Sequence, residues 1–155
     1  MNARTMCSTV VALAVIAAAA VGCAAMQKRP PAEVVAERQE VMKQQGKVWK
    51  DIQDKAKAGD IKGIAPSAQQ LVASADKIPA LFPEGSMTEK SNAKPEIWQK
   101  KGEFEAAAKN LHAEAVRLRD TASSGDANAT QALVKDFGRK ACGTCHTPFR
   151  VPPKQ

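Results

Sequence analysis

Five residues near the C-terminal end carry the clearest chemistry in the chain: Cys142, Gly143, Thr144, Cys145 and His146. On a helix, positions 142, 145 and 146 are i, i+3 and i+4, so two thiols and an imidazole emerge from one face. This C-x-x-C-H spacing is the attachment pattern for a c-type haem. The thiols can add to the two vinyl groups of the porphyrin, the neighbouring imidazole nitrogen can reach the iron from the same side, and Gly143 keeps the turn small where the ring must approach.

Three other chemistries use similar residues. A zinc site normally takes four ligands from Cys, His or carboxylate, but His112 is the only other imidazole and there is no second C-x-x-C. A thioredoxin-like redox pair sits at a helix start after a strand, where the helix dipole lowers the thiol pKa, whereas this pair falls at the C-terminal end of a helical pattern. A structural disulfide is the third such reading. Of the four cysteines, Cys7 and Cys23 belong to an N-terminal segment of different composition, so the pair at 142 and 145 must account for itself.

That segment, residues 1–25, has Arg4 near its start, an apolar run from Val10 to Val21 and then Gly22-Cys23-Ala24-Ala25. It reads as a secretory signal with a small-residue cleavage site. The apolar run is shorter than the roughly 20 residues a membrane span needs. Ala20-Val21-Gly22-Cys23 also approximates a bacterial lipoprotein signal, with alanine where leucine is usual, so lipid attachment at Cys23 is an alternative fate. The expected destination is the periplasm, and residues 26–155 form the working domain.

The elements that must hold the motif are helices. The 155 residues contain no tyrosine and only 4% aromatics, and alanine, lysine, glutamate and glutamine dominate, a composition that favours helix over sheet. The class expected is all-α. A first helix is expected from about Ala32 to Ala58, with Val34, Arg38, Val41, Met42, Gln45, Val48, Trp49 and Ile52 recurring at three- and four-residue steps. A second contains Ala68, Leu71, Val72, Ala75 and Ile78, its regular part starting at Pro66 and stopping at Pro79. Residues 80–95, rich in Pro, Gly, Ser, Asn and Lys, form one long crossover. A third helix is expected from Pro95 to about Ser123, with Ile97, Phe104, Ala108, Leu111, Ala115, Leu118 and Ala122 at close to 3.5-residue spacing. Asp126 can cap a fourth, which carries Leu133, Phe137, Ala141 and Cys145 until Pro148 stops it. The architecture expected is an antiparallel four-helix bundle with one long crossover between helices 2 and 3.

Read this far, the chain after residue 30 resembles the cytochrome c′ family of bacterial four-helix-bundle cytochromes. The resemblance rests on Arg38-Gln39-Glu40-Val41-Met42, on Leu81-Phe82-Pro83 with Gly85-Ser86, on Lys94-Pro95-Glu96-Ile97-Trp98, and on Cys142 to His146 followed by Thr147-Pro148-Phe149-Arg150. It implies one covalently attached haem c at Cys142 and Cys145, His146 as the proximal iron ligand, Arg150 beside the haem near that ligand, Arg38 near a haem propionate and Met42 facing the distal side of the iron. The residues themselves agree in one respect. Arg38 and Met42 share the core-facing stripe of the first helix, where an arginine must find an anion, and a propionate would serve.

Plainer readings stand beside these. Met42 on an apolar stripe can be core filler, and Arg38 can extend its guanidinium to solvent past an apolar stem. Trp49 and Trp98 read as packing residues, His112 as a surface residue, and the scattered lysines as a solvated face. Two functions follow. With Met42 bound to iron, the protein is a six-coordinate single-electron carrier serving redox partner proteins. With Met42 only covering the distal face, the iron is five-coordinate and open to nitric oxide or carbon monoxide. Enzyme activity is not expected, since no carboxylate pair, activated nucleophile or phosphate-cradling loop is visible. The formal charge of +7 suits acidic partners or anionic lipid; nucleic acid is not an expected partner, because export separates the protein from it. A homodimer through the first two helices is permitted by the apolar pair Val34-Val35.

Overall fold

The computed structural model describes residues 29–152, so the signal segment, with Cys7 and Cys23, lies outside the described residues. Six α-helices follow one another: α1 (Pro31–Ala58), α2 (Ile64–Ala75), α3 (Glu96–Gln99), α4 (Lys101–Ser124), α5 (Ala127–Phe137) and α6 (Thr144–Phe149). They make four rods. α3 and α4 form the third, and α5, a π-helical stretch over Gly138–Gly143 and α6 form the fourth. Each rod packs against the next, and the fourth closes on the first through α1 and α5. The all-α four-helix bundle with its crossover between the second and third rods is therefore the fold observed. Among the described residues, no helix is long and apolar enough to cross a membrane.

The periodicity read from the sequence marks the core well. Phe104, Ala108, Leu111, Ala115, Leu118 and Ala122 of α4 are all buried, opposite Ala68, Leu71, Val72 and Ala75 of α2. Small residues dominate this seam, so the two helices approach closely. α1 ends at Gly59, whose φ of 77° is the left-handed conformation that closes a helix at little cost only with glycine. Gly125 ends α4 in the same way, with φ 81°, and Asp126 then caps α5 by accepting a 2.9 Å hydrogen bond from the Ala129 amide.

Proline positions account for the differences from the expected boundaries. α2 begins at Ile64, two residues before Pro66, because the third helical residue lies in the first turn, where its N–H has no intrahelical partner to lose. The third rod is broken at Lys100 (φ −121°, ψ 46°). Its short α3 is held to the crossover by Trp98, whose Nε1 donates to the carbonyls of Phe82 (3.1 Å) and Pro83 (3.0 Å). Pro148 does not stop the last helix; it lies inside α6. The helix ends instead where Arg150 becomes extended and forms an isolated antiparallel bridge with Ala93 of the crossover. Val34 and Val35 are 0% and 3% exposed, so this apolar pair is not presented as a surface patch for pairing.

The cap at Asp126 starts the rod that ends in the C-x-x-C-H motif. Asp126→Ala is expected to cost about 1 kcal/mol, measured as a lower urea midpoint at unchanged slope, while Asp126→Asn retains most of the stability.

Candidate functional site

The interior between the first and fourth rods is not filled by side chains. A cavity of about 580 Å³ lies there, walled by Leu71, Ile78, Ile97, Phe104, Phe137 and Phe149 among others. Protein interiors are normally packed to crystal density, and a mostly apolar cavity of several hundred cubic ångströms is the size of a site for a bound molecule. Cys142, Cys145, His146, Arg38, Met42 and Arg150 all line it. Every residue singled out in the sequence as a candidate is thus brought to one place.

α1 supplies one wall through residues spaced three or four apart. Arg38, Met42, Gln45, Gly46 and Trp49 all line the cavity, the stripe expected of a single helix face. This explains why Met42 and Trp49 are only partly buried whereas Ile52, at the end of the same stripe, is fully enclosed. Trp49 stacks on Phe137 of α5, with centroids 5.0 Å apart and planes 22° apart. Phe82, Phe104 and Phe149 form an edge-to-face series at 4.8 and 5.5 Å along another side. Trp98 does not line the cavity, since its indole holds the crossover. His112 is also outside it, with Nδ1 2.7 Å from Oδ1 of Asp76.

The π-helical stretch sets where the motif points. A stripe of residues four apart drifts about 40° per step around a regular 3.6-residue helix, so Leu133, Phe137, Ala141 and Cys145 would wind away from the core. The wider i→i+5 turn of Gly138–Gly143 counters that drift: Phe137 and Ala141 stay buried, and Cys145 still lines the cavity. Asn110 of α4 supports the stretch by donating from Nδ2 to the Lys140 carbonyl at 2.7 Å, and the Thr144 hydroxyl donates to the same carbonyl at 3.1 Å. Nothing in the residue pattern announced this feature. The one sign was the four-residue stripe itself, too long for a regular helix to keep on one side.

Electrostatics favour neutral groups at the motif. Neither Cys142 nor Cys145 is paired in a disulfide. Burial pushes the Cys142 pKa up, and burial together with the neighbouring Cys142 pushes Cys145 up to about 11. Burial, and then the positive charge of Arg150, lower the pKa of His146, which keeps its ring neutral, with a lone pair available to a metal. Two protonated thiols and a neutral imidazole at one end of an apolar cavity fit a covalently held haem.

Arg38 is 4% exposed, so the solvent-directed reading of its side chain is overturned. Its buried charge is met by neutral oxygens of the crossover. Nη1 donates to Ser86 Oγ at 3.1 Å and, at a long 3.5 Å, to the Leu81 carbonyl; Nη2 donates to the Ser86 carbonyl at 2.9 Å and to Ser91 Oγ at 2.7 Å. The guanidinium also lies 4.7 Å from the centre of the Phe82 ring. These oxygens meet the charge from the crossover side, and Arg38 also lines the cavity that would hold a haem. Ser86 and Ser91 were missed as functional residues because their partner lies some fifty positions away in the chain.

Comparisons with known proteins agree with this geometry. The sequence matches the family described as Cytochrome C' over residues 33–150. It is 34% identical to a cytochrome c' of Rhodopseudomonas palustris over 130 residues, covering 77% of this chain and 82% of that protein. It is also 34% identical to cytochrome c-554 of Cereibacter sphaeroides over 95 residues, 59% of this chain and 61% of that relative's length. Among solved structures, cytochrome c' from Thermochromatium tepidum is similar with a TM-score of 0.69 at 26% identity, covering 80% of this chain and 98% of the other. A nitric oxide complex of a variant cytochrome c prime from Alcaligenes xylosoxidans shares the fold with a TM-score of 0.72 at 22% identity, covering 82% and 100%.

The raised thiol pKa values have a direct consequence. In the haem-free chain, alkylation of Cys145 by iodoacetamide is expected to be slow at pH 8 and to keep rising with pH toward about 11. In urea it should level off near the ordinary thiol value of about 8.5. The same profile in both states would show that the thiols are not buried in the fold.

Proposed function

The chain belongs to the cytochrome c′ family, whose members bind one covalently attached c-type haem with iron, and from that premise we propose that it carries single electrons between partner proteins in the periplasm. The bound haem would supply the one-electron redox couple. The observation that carries the proposal is that Met42 of α1 and His146 of α6 line the same cavity as both cysteines.

In this reading Cys142 and Cys145 would hold the haem through two thioethers, and His146 would offer its neutral imidazole nitrogen to the iron. Met42 offers its thioether from the first helix. A methionine ligand raises a reduction potential relative to two nitrogen ligands, and two protein ligands from packed helices reorganise little when an electron arrives. Arg150, whose backbone N–H donates to the His146 carbonyl at 3.1 Å, steadies the ligand turn and places a positive charge beside it. Apolar walls exclude water from the ring. The protein is not an enzyme on this proposal. Processing at the signal segment, or lipid attachment at Cys23, would leave it in the periplasm or tethered there, and the excess of lysine and arginine suits acidic redox partners.

A second reading has its own support. Solved structures that share the fold include nitric oxide complexes, and another cytochrome c' structure with the same fold is described by ligand-controlled dimer dissociation. If Met42 only covers the iron, the distal face would be open to nitric oxide or carbon monoxide, with a homodimer as a further expectation.

The ferric optical spectrum separates the two. The electron-transfer reading expects a low-spin spectrum with a methionine-to-iron charge-transfer band, converted to high spin by Met42→Ala. A high-spin wild-type protein whose spectrum does not change in Met42→Ala would establish the gas-binding reading instead.

A further inference from the structure

The crossover grips both sides of the cavity. On the α1 side, Ser86 and Ser91 accept hydrogen bonds from the Arg38 guanidinium at 2.7–3.1 Å, and Gln39 Nε2 donates to the Lys90 carbonyl at 2.8 Å. On the α6 side, the Lys94 amide donates to the Phe149 carbonyl at 3.0 Å, and the Val151 amide donates to the Asn92 carbonyl at 2.8 Å. Between these two bonds lies the Ala93–Arg150 bridge, and Arg150 is tied in turn to His146 through its backbone. A continuous run of hydrogen bonds thus links the turn of α1 that carries Met42 to the turn that carries His146, by way of residues 86–94.

We propose that Ser86 and Ser91 are positioning residues for the distal methionine: by clasping Arg38 they fix how closely α1, and with it Met42, approaches His146. The inference rests on the reading of Met42 as an iron ligand. Arg38 and Met42 are one helical turn apart, about 6 Å along the axis, and a single turn is stiff, so a displacement at Arg38 reaches Met42 nearly undiminished. Metal–ligand distances tolerate only about 0.2 Å. A small shift of α1 therefore decides between a bound and an unbound thioether. The clasp can fix that position because the charge it holds is buried: Arg38 is 4% exposed and Ser86 2%, so moving the guanidinium away from these oxygens leaves its donors unsatisfied, which is costly for a charged group. Each serine acts through its hydrogen bond to Arg38.

The test compares the haem-loaded wild type with Ser86→Ala/Ser91→Ala, the milder Ser91→Ala, Ser91→Thr as the conservative rescue, and Met42→Ala as the end point. Three quantities are read: the ferric spectrum, the rate of carbon monoxide combination with the reduced protein at saturating gas, and the thermal midpoint. The clasp predicts a high-spin fraction in the double variant and carbon monoxide combination faster by roughly tenfold or more, the loss expected for one charge-assisted hydrogen bond. Ser91→Ala should show a smaller effect of the same sign, and Ser91→Thr should return to wild type. If the double variant fails to fold, Ser91→Ala decides. A lower thermal midpoint with wild-type spectrum and wild-type carbon monoxide rate would overturn the proposal, leaving the serines merely structural. If Met42→Ala itself keeps the wild-type spectrum, the ligand reading has failed on its own. The gas rate then judges the clasp, since an α1 that is held over the cavity controls access: acceleration in the serine variants sustains it and an unchanged rate overturns it.

Discussion

Four helical rods line a cavity that they do not fill, and the arrangement of the site depends on that constraint. A bundle whose seam is built from Ala68, Ala75, Ala108, Ala115 and Ala122 brings α2 and α4 close together. Apolar volume is then concentrated on the other side, where Leu71, Phe104, Phe137 and Phe149 face the open space. An apolar cavity of about 580 Å³ is unfavourable to leave without contacts, since its lining forfeits dispersion on one side. A large planar apolar cofactor supplies those contacts, and a covalent link keeps it in place. Cytochrome c′ is itself a standard example of the up-down-up-down bundle, and this chain shows why the topology suits a cofactor: two short loops join the rods in pairs, and the single long connection between the pairs wraps the cavity.

That long connection is more than a spacer. Composition alone marks it as a loop, yet it contains the buried Ser86, the acceptors for Arg38, the carbonyls that fix Trp98, and the strand-like contact to Arg150. Buried polar groups need partners, and here each partner belongs to a different rod. The loop is ordered because Arg38, a buried cation, requires several oxygens around it, and those oxygens stay in place because Arg38 pulls them together. Stability and site geometry are coupled at this point of the fold.

The fourth rod shows a similar economy. Its π-helical stretch costs regular hydrogen bonding, which Asn110 and Thr144 make good at the Lys140 carbonyl. In return, a four-residue stripe from Phe137 to Cys145 keeps facing inward. The extended Arg150 then finishes the rod against the crossover, so the ligand turn is held from both ends.

By itself, the sequence determined the helical class, the four rods, the core stripe of α4 and the chemistry of the Cys142–His146 motif. Each of these depends on residue type and spacing along one helix, which are local. It also placed Arg38 and Met42 together on α1, for the same reason. Only the tertiary structure decided what meets the Arg38 charge, because its acceptors are brought up by a crossover whose side chains carry no periodicity. It likewise decided that the last helix widens at Gly138–Gly143, that Pro148 lies within it, and that the third rod breaks at Lys100. These follow from contacts between rods, where Asn110, Trp98 and Ala93 satisfy distant backbone groups, and no pattern confined to one segment of chain can express them.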